Sequence, residues 1–440
     1  MATFKTFDAL ATEKGRLFSF SLLYISEGIP FGFTSVALVT YLRGAGLALD
    51  QIGLFMAALF MPWAFKWAWA PLIDIFKLRR FGGRKTWISF CTFAMIITLL
   101  MTATTDYISD FQLLITMVTL NNVFCATQDV AIDALAVSTL KENERSRGNG
   151  FMFAGQYIGI SLGGGGAMLF SSAYGFNNTL IFISALLSIC LLYTLLFIKD
   201  PFTRELIKQS KTNVFRQLAL KFKQFFVTLY ESFFRSGKGP ALGILFALMP
   251  VGAMALAYAT LSTIQVDYGL SEAEIGRLSI FNTITAATGC ALGGWLGDRF
   301  GLKPTLIVTY ILTAIPTIFL AWNIYQFGLV NIDTNTFYSI VITHGLFYGM
   351  SFGIHAGIFM GMTNPLVAAT QFTAFMAMTN LTISFANYWQ GLVAENHGYA
   401  WVLFLDSLLI LLPLMLIPLL RNRKIKSPKN DKQLEPAYSN

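Results

Sequence analysis

Stretches of about 20 mostly apolar residues, the length that crosses a hydrocarbon core of roughly 30 Å, recur along nearly the whole chain. They fall at 17–41, 51–73, 87–105, 112–136, 151–174, 178–198, 240–264, 275–297, 304–327, 337–362, 373–394 and 400–420. Twelve such runs leave little chain for anything else, so the sequence predicts an all-α integral membrane protein. With 55% apolar and only 12% charged residues, the 440-residue chain is too apolar for a soluble domain of its size. Met1 to Arg16 is polar and mixed in charge, so no cleaved leader is expected.

Positive residues accumulate in cytoplasmic loops, and this orients the spans. With both termini in the cytoplasm, 28 of the 31 Lys and Arg lie on the inner side; Arg43 and Arg277 lie outside and Lys66 lies within a span. The net charge of +8 is thereby a topology signal directed at anionic headgroups, and it requires no nucleic acid partner. Cys91, Cys125, Cys190 and Cys290 all fall inside spans without ligand spacing, so neither a disulfide framework nor a metal or other cofactor is expected.

GLALDQIG, from Gly46 to Gly53, returns 223 residues later as GLSEAEIG, from Gly269 to Gly276, each just before an even-numbered span. Asp74 and Asp298, which close spans 2 and 8, repeat at nearly the same offset. Two matches at one offset argue for a duplicated six-span unit. The expected organisation is a bundle over 1–198, a cytoplasmic linker over 199–238, a second bundle over 239–420 and a cytoplasmic tail over 421–440. In the linker, Phe215, Leu218, Phe222, Phe225, Leu229 and Phe233 recur at helical spacing, which reads as an interfacial amphipathic helix or, alternatively, a solvated tether.

Gly155, Gly159 and Gly163 in span 5, and Gly289, Gly293 and Gly297 in span 8, each form a four-residue ladder on one helix face. Such faces let backbones approach closely in lipid. One expectation is that span 5 meets span 8 through these ladders and closes the inner side; the other is packing within each half.

Ionisable residues inside spans must face a cavity or a partner, because a charge at the bilayer centre costs on the order of 3 kcal/mol. Lys66 stands 15 residues into span 2 and Asp129 stands 17 residues into span 4, depths of roughly 22 and 25 Å at the helical rise. A Lys66–Asp129 pair is expected, the alternative being a lysine that snorkels to the headgroups. Asp133, one turn beyond Asp129, is placed at the inner boundary as a latch within reach of Arg84. Asp406, early in span 12, is expected to face outside water. Glu27 precedes Gly28-Ile29-Pro30 near the midplane, a setting that suits proton coupling or a hydrogen bond for helix packing. Tyr24, Gln128, Tyr258, His344, Tyr348 and His355 are the candidate cavity residues, able to stack on or hydrogen-bond a sugar or an aromatic ligand. His344 and His355, about three turns apart, share a face; either alone also reads as a structural histidine.

Two six-span halves around a basic loop resemble the major facilitator superfamily, and GGWLGDRFGLKP is similar to its signature in Gly294, Asp298, Arg299, Gly301 and Lys303. KWAWAPLID with FGGRKTW, ATQDVAIDA, AATQFTAFMAMTNL and GLVAENHGY resemble the AmpG-type permeases within that group. The resemblance makes Lys66, Asp74, Gln128, Asp129, Asp133, Thr370 and Gln371 family-pattern positions. It implies a monomeric transporter importing anhydromuropeptides, the products of cell-wall breakdown, with protons across a bacterial inner membrane. Siderophore or other organic-solute transport, acetyl-coenzyme A transport among it, is the alternative substrate reading, and a membrane receptor that binds without translocating is the alternative class. With His344, His355 and His397 the only histidines, no nucleophile finds a base and an orienting partner at recognisable spacing, so an enzyme is not expected.

Overall fold

The structure is a computed structural model that describes residues 8–70, 73, 83–102, 110–141, 144–199, 219–220, 222–224, 226–227, 230–231, 233, 238–249, 254–363 and 368–420. Every regular element among them is helical. In chain order these are α1 (Glu13–Gly44), α2 (Leu49–Phe65), α3 (Arg84–Thr102), α4 (Phe111–Thr139) and α5, which runs as Arg145–Ser161, Leu162–Gly166 and Ala167–Tyr174. Then come α6 (Phe176–Phe197), α7 in two arms (Lys238–Ala247 and Ala259–Tyr268), α8 (Glu272–Phe300), α9 (Leu302–Phe327), α10 (Thr334–Met362), α11 (Ala368–His397) and α12 (Tyr399–Leu409).

Six segments among the described residues are long and apolar enough to cross a membrane: α1, α3, α6, α9, α10 and Tyr399–Leu419. Much of the surface is apolar, and a set of polar groups is buried among the apolar core. Phe90, Phe93, Ile189, Leu192, Phe281 and Trp322 are exposed, whereas Glu27, Gln128, Asp129 and Gln390 are buried. An apolar exterior suits a chain solvated by lipid, in which polar groups must find their partners inside. Interior hydroxyls turn back onto their own helices, as in Thr92 Oγ1 to Ile88 O at 2.7 Å and Thr313 Oγ1 to Thr309 O at 2.7 Å.

Departures from the expected spans follow from proline and from capping. Pro30 removes one N–H from α1, and a π-helical turn follows at Phe33–Ala37, where Thr34 and Ser35 hydroxyls donate to Pro30 O and Phe31 O. Pro413 and Pro418 end α12 in two 3-10 turns, Leu412–Met415 and Ile417–Leu419, where the sequence predicts one unbroken helix. The predicted span 7 is broken: Met254 is extended, a 3-10 turn covers Ala255–Ala257, and the second arm starts only at Ala259.

The repeated octapeptide takes the same shape twice. Gly46 and Gly269 hold φ values of 90° and 96°, in the left-handed region that favours glycine, and Ala48 and Ser271 are extended N-caps of α2 and α8. Ser271 closes a capping box with Glu274, which starts α8 firmly.

In packing, α1 lies against α5, α3 against α4, α8 against α10, and α2 against α11. The last of these joins the two halves of the chain. A buried cluster continues across the same junction, from Phe33, Phe55 and Met56 to Ala259, Ile275 and Ile383. In the linker, described positions among 219–230 are helical, Phe226 meets the Trp67 ring and Phe233 is buried against Phe375. Phe215, Leu218, Phe225 and Leu229 lie outside the described residues.

Candidate functional site

The lysine of KWAWAP sits where α2 ends at Phe65 and continues as a 3-10 turn, Lys66–Ala68. Two tryptophans orient this end against α4: Trp63 Nε1 donates to Asn122 Oδ1 at 3.2 Å, and Trp69 Nε1 donates to Thr127 Oγ1 at 3.0 Å. Between them Lys66 Nζ reaches Asp129 Oδ2 at 2.5 Å and lies 5.2 Å from the Trp63 ring centroid, so the ammonium has both an anion and an aromatic face. Lys66 and Asp129 thus meet as their depths in the sequence indicate.

Two more carboxylates flank the pair. Asp133, one turn along α4, is exposed and accepts from Tyr24 OH at 2.6 Å. Arg84, its expected partner, donates to Ser138 Oγ at 2.7 Å, so the Arg84–Asp133 latch is corrected to a Tyr24–Asp133 bond between α1 and α4. Glu27 is 1% exposed; its Oε1 accepts from Gln156 Nε2 of α5 at 2.7 Å, while its Oε2 is buried with no hydrogen-bond partner among the described residues. A buried carboxylate oxygen left without a donor is uncommon and points to a functional role. Together α1, α2, α4 and α5 assemble one cation, three carboxylates and Tyr24, with Asp133 and partly exposed Lys66 on the accessible side.

Gln128 belongs elsewhere. Its Nε2 donates to Ser26 Oγ at 3.1 Å and Thr92 Oγ1 at 2.7 Å, tying α4 to α1 and α3 inside the helix packing. Across the chain, Tyr258 OH and Tyr348 OH share a hydrogen bond at 3.0 Å, and Phe60 of α2 meets the Tyr258 ring edge-on at 5.3 Å. His344 stacks on Tyr348, with centroids 6.0 Å apart. His355 is buried between Phe246 and Phe359, centroids 5.2 and 4.3 Å away, which places it in an aromatic core and corrects its assignment to the cavity. Gln371 is buried on α11; Asp74 and the side chain of Thr370 lie outside the described residues. At the end of α8 Asp298 is exposed, and Arg299 lies over the Trp295 and Phe300 rings.

The glycine ladders pack within the halves, which corrects the expected contact of span 5 with span 8 through them. A Cβ on Gly155, Gly159 or Gly163 would meet the backbone of α1 at Ser21, Ile25 or Ile29, and one on Gly289 or Gly293 would meet α10 at Leu346 or Met350. Gly297 faces Leu302. Helices α5 and α8 do touch, but through Gly165 and Gly276: a Cβ on Gly276 would lie 2.8 Å from Gly165 O. The corresponding contact of α2 with α11 is Gly53 on Gly391, where a Cβ on Gly53 would lie 2.9 Å from the Gly391 Cα. Gly53 and Gly276 are the last residues of the repeated octapeptide.

A polar latch lies at the same end of the bundle. Arg43 of α1 binds Asp267 of α7 through two hydrogen bonds of 2.8 and 2.7 Å, Tyr399 OH donates to Asp267 Oδ2 at 2.6 Å, and Glu395 Oε2 accepts from Leu49 N at 2.8 Å. Arg43 and Asp267 stand 224 residues apart, equivalent positions of the repeat within one residue. In a pair of units related by a twofold axis, residues near the axis meet their own equivalents. This latch escaped the sequence reading, although the repeat offset contained the signal. Both partners are partly exposed, so the pair contributes about 1 kcal/mol. Replacing Arg43 by Glu is expected to lower the closed-to-open ratio at this end by roughly fivefold, with Arg43→Asp/Asp267→Arg recovering most of it. Labelling of a cysteine at Thr263 by an impermeant maleimide would measure it, and equal labelling in all three chains would exclude the latch.

A family model described as Major Facilitator Superfamily matches residues 20–261 and 242–439. The putative transporter AmpG 4 of Rickettsia conorii is 23% identical over 429 residues, spanning 93% of this chain and 97% of that protein. The anhydromuropeptide permease of Escherichia coli K12 is 26% identical over 388 residues, 86% of this chain and 74% of that one. Among solved structures, the inward-open xylose transporter XylE of E. coli superposes with a TM-score of 0.69 at 12% identity, covering 96% of this chain and 98% of that chain. The model match over both halves, joined to an all-helical fold like that of solved transporters, establishes that this chain belongs to the major facilitator superfamily.

Proposed function

We propose that the chain is a proton-coupled importer of anhydromuropeptides that works by alternating access between two six-helix bundles, α1–α6 and α7–α12. The observation that carries this reading is the group of Lys66, Asp129, Asp133, Glu27 and Tyr24, gathered from three helices into one wall with part of it accessible. Intramembrane charges so arranged mark a path for substrate or protons. In this reading all twelve helices span a bacterial inner membrane, both termini face the cytoplasm, and the Arg43–Asp267 end faces outward and is closed. Glu27 takes and releases the coupled proton, the Lys66–Asp129 pair senses it, and Tyr258 and Tyr348, the latter backed by buried His344, contact the solute from the other bundle. The substrate class rests on the similarity to an anhydromuropeptide permease, and a ferric siderophore is the rival solute.

Counterflow and gradient-driven uptake in proteoliposomes test it. Labelled anhydromuropeptide is expected to exchange in counterflow and to accumulate only with a proton gradient; exchange of the siderophore alone would replace the substrate, and exchange of neither would favour the receptor. Glu27→Gln is expected to keep counterflow within about threefold while losing at least 90% of accumulation, by analogy with removing one transition in a linked cycle. Gradient-driven accumulation persisting in that variant would remove Glu27 from the proton path.

A further inference from the structure

Asp406 has no part in the scheme above, and it does not face outside water as its place early in α12 predicts. It is 4% exposed; Oδ2 accepts from Ala255 N at 2.9 Å and Oδ1 from Gln390 Nε2 at 3.0 Å, while Gln390 Oε1 accepts from Thr260 Oγ1 at 3.4 Å. Ala255 opens the 3-10 turn at the break in α7. A helix break leaves N–H groups without partners along their own helix, and in lipid each such group costs several kcal/mol. Asp406 supplies one of these partners from a neighbouring helix.

The far end of the arm that follows this turn is held by the same helix, while Asp406 reaches the arm's start through Gln390 and Thr260. Tyr399, seven residues before Asp406 and therefore about 10 Å away on the same face of α12, donates to Asp267, one residue before the end of the arm Ala259–Tyr268. The arm thus has Tyr258 at its start, in contact with Phe60 and Tyr348, and at its far end Asp267, which grips Arg43 of α1.

We propose that Asp406 and Tyr399 clasp the second arm of α7 to α12, so that the two move as one body and a solute that displaces Tyr258 also moves Asp267 against Arg43. Asp406 and Gln390 are then positioning residues. The alternating-access reading gives the motion its purpose, but the clasp itself is a statement about two helices. Among the described residues no charged side chain bonds Asp406 from α7 or α11; its donors are a backbone N–H and a neutral amide. The device consequently depends on hydrogen-bond geometry. In Asp406→Asn the side-chain oxygen still accepts from Ala255 N, and turning the Gln390 amide over lets the introduced amide donate to it and Gln390 donate to Thr260.

Spin labels at Leu270, two residues beyond the end of the arm, and at Trp401 of α12 report the separation of arm and helix, and labels at Leu270 and at Ala45, just beyond the end of α1, report the latch. In the unsubstituted chain and in Asp406→Asn, the Leu270–Trp401 distance is expected to be single and narrow. In Asp406→Leu, and in the milder Tyr399→Phe, a second and longer separation is expected, with a larger open population at Ala45–Leu270. A narrow Leu270–Trp401 distance in both disruptive variants overturns the clasp; a distribution in Asp406→Asn as broad as in Asp406→Leu overturns the geometric role in favour of charge. Because these distances are read without solute, a chain that failed to transport would still decide the matter.

Discussion

Replacing Lys66 by methionine is expected to abolish uptake and to destabilise the protein more than removing Lys66 and Asp129 together. Asp129 is 5% exposed and its cation is Lys66. Breaking a buried pair from one side leaves an uncompensated charge and costs about 3–5 kcal/mol, whereas exchanging both partners for apolar groups of similar size is often nearly neutral. Lys66→Met and Asp129→Leu should each lower thermal stability in detergent strongly, and the double variant should recover most of that loss. Transport should not recover in the double variant, because the charges themselves are lost. Reversal to Lys66→Asp/Asp129→Lys is expected to restore part of the uptake that either single change removes. Stability losses that simply add, together with no rescue by reversal, would sink the pair as a functional unit.

The pair was legible in the sequence because two facts about it are one-dimensional: depth along a helix follows from residue count, and a charge in lipid needs a partner. Asp133 shows where that logic stops. Its depth is equally clear, but Tyr24 and Arg84 both lie near that level, and only the three-dimensional packing selects Tyr24. Gln128 and His355 fail for a related reason. A polar residue in a span can point to the cavity or tie helices together, and the choice depends on rotation about the helix axis, which a low amphipathic contrast leaves open. The glycine ladders illustrate the same limit: a four-residue period announces a close approach without naming the helix that approaches. Repeats carry more, because equivalence supplies a second constraint. Gly46 and Gly269 take one backbone conformation, Arg43 and Asp267 meet as equivalents, and Gly53 and Gly276 each seat another glycine. The break in α7 had a local sign in Pro250 and Gly252, which weaken a helix, but its attachment to Asp406 left none, since the partner of a freed N–H on another helix has no local signature.

Valine at Gly53 or Gly276 is expected to trap the chain with the Arg43–Asp267 end open. A Cβ on Gly53 would lie 2.6 Å from Asn387 O as well as against Gly391, and one on Gly276 would lie 3.0 Å from Leu169 Cγ as well as against Gly165. Backbone atoms in close-packed helices cannot yield by that much without the helices parting. The helices that must part are α2 from α11, or α8 from α5, two of the junctions between the halves. A state that cannot close is lost from the cycle, so net uptake should fall below about 1% of the unsubstituted rate, as a closing penalty of about 3 kcal/mol implies. Solute should still bind from the open side, and a cysteine at Thr263 should be labelled from that side without solute. Two controls separate trapping from damage. Gly294 has open space around a built Cβ, so Gly294→Ala should behave as the parent. Gly159 packs on the α1 backbone at Ile25 and Gly28 within one half, so Gly159→Val should lose the folded protein instead of trapping it. If Gly53→Val and Gly276→Val bind no solute and melt as Gly159→Val does, these glycines serve packing alone; if they transport normally, the junctions do not open.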